Sequence, residues 1–132
     1  MQTSILMFDL DNLKKINDSK GHHVGDEAIR AVADILRLTL HKTDCACRLG
    51  GDEFVVALPN TSCEQAIQFA KRIHEHSRKE LSRFSIDSAH VTVSIGVTTI
   101  MPEDCTYEDT IKRADLALYK AKHGGKNRIV AA

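Results

Sequence analysis

RLGGDEFVV, Arg48 to Val56, sets two glycines and then two acids between short apolar runs. The flanking segments CACRL and EFVVAL read as the two strands of a β-hairpin, with Gly50 and Gly51 at its tip. Glycines at a hairpin turn are common. The turn alone does not explain two carboxylates, Asp52 and Glu53, at the head of a strand that otherwise reads as buried. Which elements surround the hairpin decides what those acids meet.

Upstream, SILMFDL (Ser4 to Leu10) is a nearly continuous apolar run, the pattern of a short strand covered on both faces. Leu13 and Ile16 lie three apart, as on one side of a short helix. Gly21 and Gly25 punctuate GHHVG as a loop, and from Asp26 to about His41 apolar residues recur at helical spacing. Downstream of the hairpin, SCEQAIQFAKRIHEHSRKELSRF reads as a long helix with Ala66, Ile67, Ala70 and Ile73 on its apolar face. HVTVSIGVTT alternates as a strand. TYEDTIKRADLALYKAKHGG is a further helix, with Gly124 or Gly125 as its C-cap, and NRIVA is a last short strand. This order predicts an α/β (α+β) fold, a mixed central sheet flanked by helices. Its strand–helix–hairpin–helix–strand portion forms a split βαβ, ferredoxin-like or palm-type core. In such a core the first strand neighbours the hairpin, so the end of SILMFDL lies beside the glycine tip.

The chain has 132 residues and a 42% apolar share, enough for one domain, 1–132, with a real core. Eighteen basic residues offset eighteen acidic ones, so no global field draws the chain to nucleic acid or to anionic lipid. Cys45, Cys47, Cys63 and Cys105 form neither a zinc pattern nor a disulfide framework, and Cys45 and Cys47 are expected to be buried thiols. No apolar stretch is long enough to span a membrane, and MQTSILMFDLD lacks the basic region and cleavage site of a signal peptide. A soluble, cytoplasmic chain is expected.

If the strands are neighbours, Asp9 at the end of the first, Asp11 two residues on, and Asp52 and Glu53 gather at one edge of the sheet. Bare, such acids repel one another by several kcal/mol, on the order of a close Coulomb pair at moderate dielectric. A divalent cation relieves that repulsion, and hard oxygen ligands that leave room for water and phosphate suit Mg²⁺. Singly, each motif has a plainer reading: D-x-D is a helix cap with a solvated neighbour, and GGD is a tight turn.

The residues Gly50–Phe54 spell GGDEF, and the match extends well beyond them. FDLDNLKKINDSKGHHVGDEAI resembles the pattern D-x-D-x-x-K-x-x-N-D-x-x-G-H-x-x-G-D of the GGDEF family of diguanylate cyclases. VTVSIGV resembles that family's later strand and ADLALYKAKHGGKN its closing helix. The resemblance implies an enzyme that joins two GTP into cyclic di-GMP and releases two pyrophosphates. Each bond forms when a ribose 3′-hydroxyl attacks the α-phosphate of the other nucleotide. By resemblance, Asp9, Asp52 and the backbone carbonyl of Leu10 hold Mg²⁺ or Mn²⁺, two ions per site, with Glu53 a further metal ligand or a proton acceptor. Asp11 stands open between a metal ligand and either a cap or an acid placed behind the metal ligands. Asn17 and Asp26 match the guanine-binding positions, where a carboxylate can accept from N1–H and N2–H₂ together. Lys122 and Lys126 match basic positions near the triphosphate, and the backbone of Asn12, Leu13 and Lys14 can offer N–H groups to it. His22 and His23 are expected to be solvated loop residues.

The chain departs from the family pattern in two places. The R-x-x-D positions of the family's inhibitory product site carry His41, Lys42, Thr43 and Asp44, so that site is expected to be absent. Only Met1, Gln2 and Thr3 precede Ser4, so the leading segment usual in the family is expected to be missing, and with it an upstream sensory or dimerising region. With one GTP per subunit, catalysis implies a homodimer, at least transiently. The alternatives are a GTP-binding regulatory domain that makes no product and a general metal-dependent phosphodiesterase or polymerase-like enzyme. The last explains Asn17 and Asp26 less well.

Overall fold

The protein is described by a computed structural model covering residues 2–132. Its elements run β1 (Ser4–Asp11), α1 (Leu13–Lys20), α2 (His22–Thr39), β2 (Cys45–Gly50), β3 (Glu53–Leu58), α3 (Cys63–Leu81), β4 (Thr92–Thr99), α4 (Tyr107–His123) and β5 (Ile129–Ala131). A 3₁₀ turn, Ser82–Phe84, follows α3. The five strands form one sheet in the order β2-β3-β1-β4-β5. All neighbours are antiparallel except β4 and β5. The first four strands have the split βαβ order expected from the sequence, with β1 between β3 and β4.

Alternation along the strands divides the sheet into two faces. On one face Leu6, Phe8 and Leu10 join Phe54, Val56 and Leu58 and Val93, Ile95 and Val97 in a large core beneath α1, α2 and α3. Phe8 and Phe54 stack there with ring centroids 5.3 Å apart. Helix α3 opens with a reciprocal cap: Gln65 N–H donates to Ser62 Oγ (3.2 Å) and Ser62 N–H to Gln65 Oε1 (2.9 Å). On the other face Ile5 and Met7 pack against Ala114 and Leu118 of α4 in a much smaller cluster. Helix α4 lies so close to β4 that a Cβ on Gly96 would stand 2.4 Å from the Ala114 carbonyl oxygen and 2.4 Å from the Leu118 nitrogen.

Two expectations from the sequence are corrected. Helix α2 begins at His22, so GHHVG is no loop beyond Gly21, and His22 and His23 lie in the first turn of the helix, solvent-exposed. Gly25 is a helical residue, kept small because a Cβ there would meet Asn17 Oδ1 at 1.9 Å. Cys45 and Cys47 are exposed rather than buried, because β2 is an edge strand with all six residues solvent-facing.

Candidate active site

The hairpin turn consists of Gly51 and Asp52, and the left-handed backbone of Gly51 (φ 49°) lets the chain reverse in two residues. Arg48 Nε donates to the Gly51 carbonyl at 2.7 Å and braces the turn. Glu53 then becomes the first residue of β3, directly opposite Asp9 of β1, while on the other side Asp9 faces Ser94 of β4. Cross-strand partners point to the same face. Asp9, Glu53 and Ser94 therefore share the α4 face, with Asp11 two residues along and half-buried Asp52 at the hairpin tip.

Asp11 is fully buried, and donors surround it. Thr92 Oγ1 donates to it at 2.6 Å, Ser94 Oγ at 2.8 Å, Lys122 Nζ at 2.7 Å and the Asn127 N–H at 3.0 Å. Burial alone would raise its pKa; the bonds from Lys122, Thr92 and Ser94 outweigh burial and hold the carboxyl below the ordinary aspartate range. Lys126 and Asn127 take left-handed backbone (φ 64° and 52°), which non-glycine residues seldom adopt, and the Asn127 N–H is thereby presented to Asp11. The sequence left Asp11 open. The structure shows it as a buried anchor joining β1, β4, α4 and the segment before β5.

Asp9 is in the opposite condition. Its Oδ1 is buried, accepts no hydrogen bond of ordinary geometry and is touched by the Lys122 ammonium. Burial pushes the Asp9 carboxyl up to about 6 against the pull of Lys122, and repulsion from Asp52 and Asp11 adds to the rise. Glu53 is raised too, first by burial and then by repulsion from Asp115 of α4 and from Asp52. Lys122 is held above its ordinary range because bonds to Asp11 and Asp9 outweigh its burial.

Among the described residues no three acid, imidazole or thiol groups converge as a ready-made cation cage. The available donors are oxygen only: Asp9 Oδ1 without a conventional partner, the Leu10 carbonyl, Asp52 and Glu53. That set fits a hard divalent cation whose shell is completed by water and phosphate, and does not fit zinc. Lys122 Nζ also meets the Leu10 carbonyl at 3.2 Å, and Lys126 Nζ meets Asn12 Oδ1 at 2.9 Å. Both lysines therefore converge on the junction of β1 and α1. There α1 starts at Leu13 with no side-chain cap and no acid in its first turn, leaving the N–H groups around Asn12, Leu13 and Lys14 free of a competing anion.

The two residues expected at the base are reached from neighbouring helices, α1 and α2. Asn17 of α1 lies against Gly25 of α2, its Oδ1 buried without a partner, and Asp26 is the next residue. Asp26 lines an open cleft of about 460 Å³ with Ile29, Arg30, Arg37, Arg48 and Phe54. His41 and Asp44 lie apart from this site. The His41 N–H donates to Asp44 Oδ2 at 2.9 Å, and both residues line a separate cleft of about 430 Å³ to which α3 contributes Arg72.

Sequence reasoning missed Arg48, Arg72, Asp115, Thr92 and Ser94. Helical spacing offered a signal for Asp115, seven residues before Lys122 and thus on the same side of α4. The partners of Asp11 gave none, because they lie 81 and 83 residues away on another strand.

A family model described as "Diguanylate cyclase, GGDEF domain" matches residues 1–128. The chain is 42% identical over 129 residues to the probable diguanylate cyclase DgcC of Escherichia coli, covering 98% of this chain and 34% of that protein. It thus spans about a third of the length of the curated relatives it matches. Among solved structures it resembles the diguanylate cyclase SiaD of Pseudomonas aeruginosa, solved in complex with its activator SiaC (TM-score 0.88, 33% identity, 99% of this chain and 50% of that one). It also resembles the GGDEF domain of DgcB from Caulobacter crescentus, solved in complex with c-di-GMP (TM-score 0.86, 31% identity, 98% and 77%). No helix among the described residues is long and apolar enough to cross a membrane.

Proposed function

The chain belongs to the GGDEF-domain family of diguanylate cyclases, and on that premise we propose that residues 1–132 form one catalytic domain that condenses two GTP into cyclic di-GMP with release of two pyrophosphates. The observation that carries this reading is the β1–β3 register, which sets Asp9 opposite Glu53 with Asp52 at the adjoining turn. Asp9, Asp52 and the Leu10 carbonyl hold Mg²⁺ or Mn²⁺, two ions per site. Glu53 serves as a further ligand or as the proton acceptor. The bound metal supplies Lewis-acid stabilisation of phosphoryl charge and lowers the pKa of the attacking hydroxyl.

The chain's own residues do the rest. The N–H groups of Asn12 to Lys14, with Lys122 and Lys126, receive the triphosphate and orient its α-phosphate for in-line attack. Asp26 and Asn17 read the guanine edge. Adenine lacks the N1–H and N2–H₂ donors, so ATP would leave Asp26 without its partners. Arg48, by bracing the Gly51 carbonyl, fixes the turn that presents Asp52. Each copy holds one nucleotide, so the 3′-hydroxyl that attacks comes from the GTP of a second copy, and chemistry takes place across a homodimer that forms at least transiently. By analogy with SiaD, solved with its activator SiaC, and with the coiled coil and GGDEF domain of DgcB, an upstream sensory or dimerising region accompanies this domain in the whole protein.

The test is product formation. Purified protein at high concentration, with Mg²⁺ and GTP, is expected to yield cyclic di-GMP by chromatography, and Asp52→Ala is expected to yield none. Saturable GTP binding with no product at any protein concentration would replace this reading with a regulatory GTP-binding domain.

A further inference from the structure

Lys122 stands near the end of α4, yet its ammonium sits on β1. It touches Asp9 Oδ1, meets Asp11 Oδ1 at 2.7 Å and meets the Leu10 carbonyl at 3.2 Å. Two of these three oxygens, those of Asp9 and Leu10, belong to the proposed metal set. An ammonium and a divalent cation seek the same carboxylate and carbonyl oxygens. They cannot occupy them together, because like charges a few ångströms apart repel strongly in a partly buried site. We propose that Lys122 is the resident counter-ion of the metal site: it neutralises Asp9 in the nucleotide-free protein, and a divalent cation must displace it to enter. This inference rests on the cyclase reading above.

The two carboxylates respond differently to its departure. Asp11 keeps Thr92 Oγ1, Ser94 Oγ and the Asn127 N–H when Lys122 leaves, so the buried anchor stays satisfied. Asp9 Oδ1 has no other partner, so it is left bare unless another cation arrives. The lysine is therefore free to go only in exchange for a metal. A route out exists, because its side chain is 23% exposed and rides on a flexible four-carbon stem beside the β1–α1 junction where the triphosphate is placed. Metal and triphosphate thus draw Lys122 the same way: one pushes it off Asp9 and the other offers it phosphate oxygens. Each should strengthen binding of the other, and metal alone should bind poorly.

Mn²⁺ titration of nucleotide-free protein, followed by electron paramagnetic resonance, tests this. Lys122→Met is expected to bind Mn²⁺ at least about tenfold more tightly than wild type, and Asp9→Asn/Lys122→Met is expected to lose that binding. Equal affinities in wild type and Lys122→Met, both abolished by Asp9→Asn, would overturn the counter-ion role and leave the metal reading standing. Binding that survives Asp9→Asn would overturn the metal reading itself. A second measurement needs no variant. Acylation of wild-type Lys122, read by mass spectrometry, should be slow in metal-free buffer, rise at saturating Mn²⁺, and fall again when a non-hydrolysable GTP analogue is added. An acylation rate indifferent to Mn²⁺ would overturn the proposal even if Lys122→Met fails to fold.

Discussion

The two faces of the sheet are built from the same strands and do opposite work. Beneath α1, α2 and α3, the residues of β1 facing inward are Leu6, Phe8 and Leu10, and their side chains join the large apolar core. On the α4 side the alternate residues are Ile5, Met7, Asp9 and Asp11, and the small cluster of Ile5 and Met7 gives way to carboxylates. One strand thus serves stability with its even positions and charge with its odd ones. A thin core suffices on the second face because Gly96 lets α4 lie directly on β4, and because Asp104, Arg113 and Thr98 tie the helix down at the end away from the acids. Arg113 donates to Asp104 Oδ2 at 2.8 Å, to Thr98 Oγ1 at 2.8 Å and to the Thr99 carbonyl at 2.7 Å.

Substitutions can break this division. The largest effect is expected from Phe8→Ala on the apolar face, a loss of about 3–5 kcal/mol in denaturant unfolding, with activity falling only through loss of folded protein. A Phe8→Ala protein that is fully folded yet inactive would contradict the separation. Gly96→Ala tests the other face. Its Cβ would force α4 from β4, costing about 1–3 kcal/mol and shifting Lys122, so product formation should drop by more than the stability loss explains. Asp26→Ala, on the exposed side of α2, should leave the melting midpoint unchanged while weakening GTP binding about tenfold or more by calorimetry. Unchanged affinity would remove Asp26 from the base-binding role.

The pH dependence is a smaller and more specific test. Asp9 carries a folded-state pKa raised from 3.8 to about 6, so ionising it costs folding free energy. Its contribution to stability therefore declines as pH rises between those values and stays low above them. In metal-free buffer Asp9→Asn should stabilise the protein by on the order of 1 kcal/mol above pH ~6 and have no effect near pH ~4, while product formation is lost. Asp11 has the opposite sign: its lowered pKa gives stability that is present above the unfolded value and lost as pH falls through the folded one. The least effect is expected at His41 and Asp44, where cyclic di-GMP should cause no strong non-competitive inhibition. Such inhibition would show that a product site operates despite the histidine at His41.

Much of this division was legible in the sequence. The nearly unbroken apolar run of β1 already required cover on both faces, and the split βαβ order by itself puts Asp9 beside the hairpin. Local rules failed where the cause was tertiary. Gly25 reads as loop punctuation, but it is a helical residue kept small by a side chain from another helix. Cys45 and Cys47 read as buried thiols because a strand usually has something over it, and β2 lies at the edge. Asp11 was undecidable from its neighbours because its donors come from Thr92, Ser94, Lys122 and Asn127. The contact of Lys122 with Asp9 was likewise out of reach: the resemblance placed that lysine near phosphate and was silent on where its ammonium rests without one.

The separation in sequence between the lysines and the acids also orders events during synthesis. Lys122, Lys126 and Asn127 reach Asp11 and Asn12 across 111, 114 and 116 residues. β1 leaves the ribosome long before them. Until α4 has emerged, the carboxylates of β1 and β3 stand hydrated on an open flank, with no ammonium to balance them and no lysine to meet a nucleotide. A chain that stops short of Lys122 has no ammonium to set against Asp9 and Asp11.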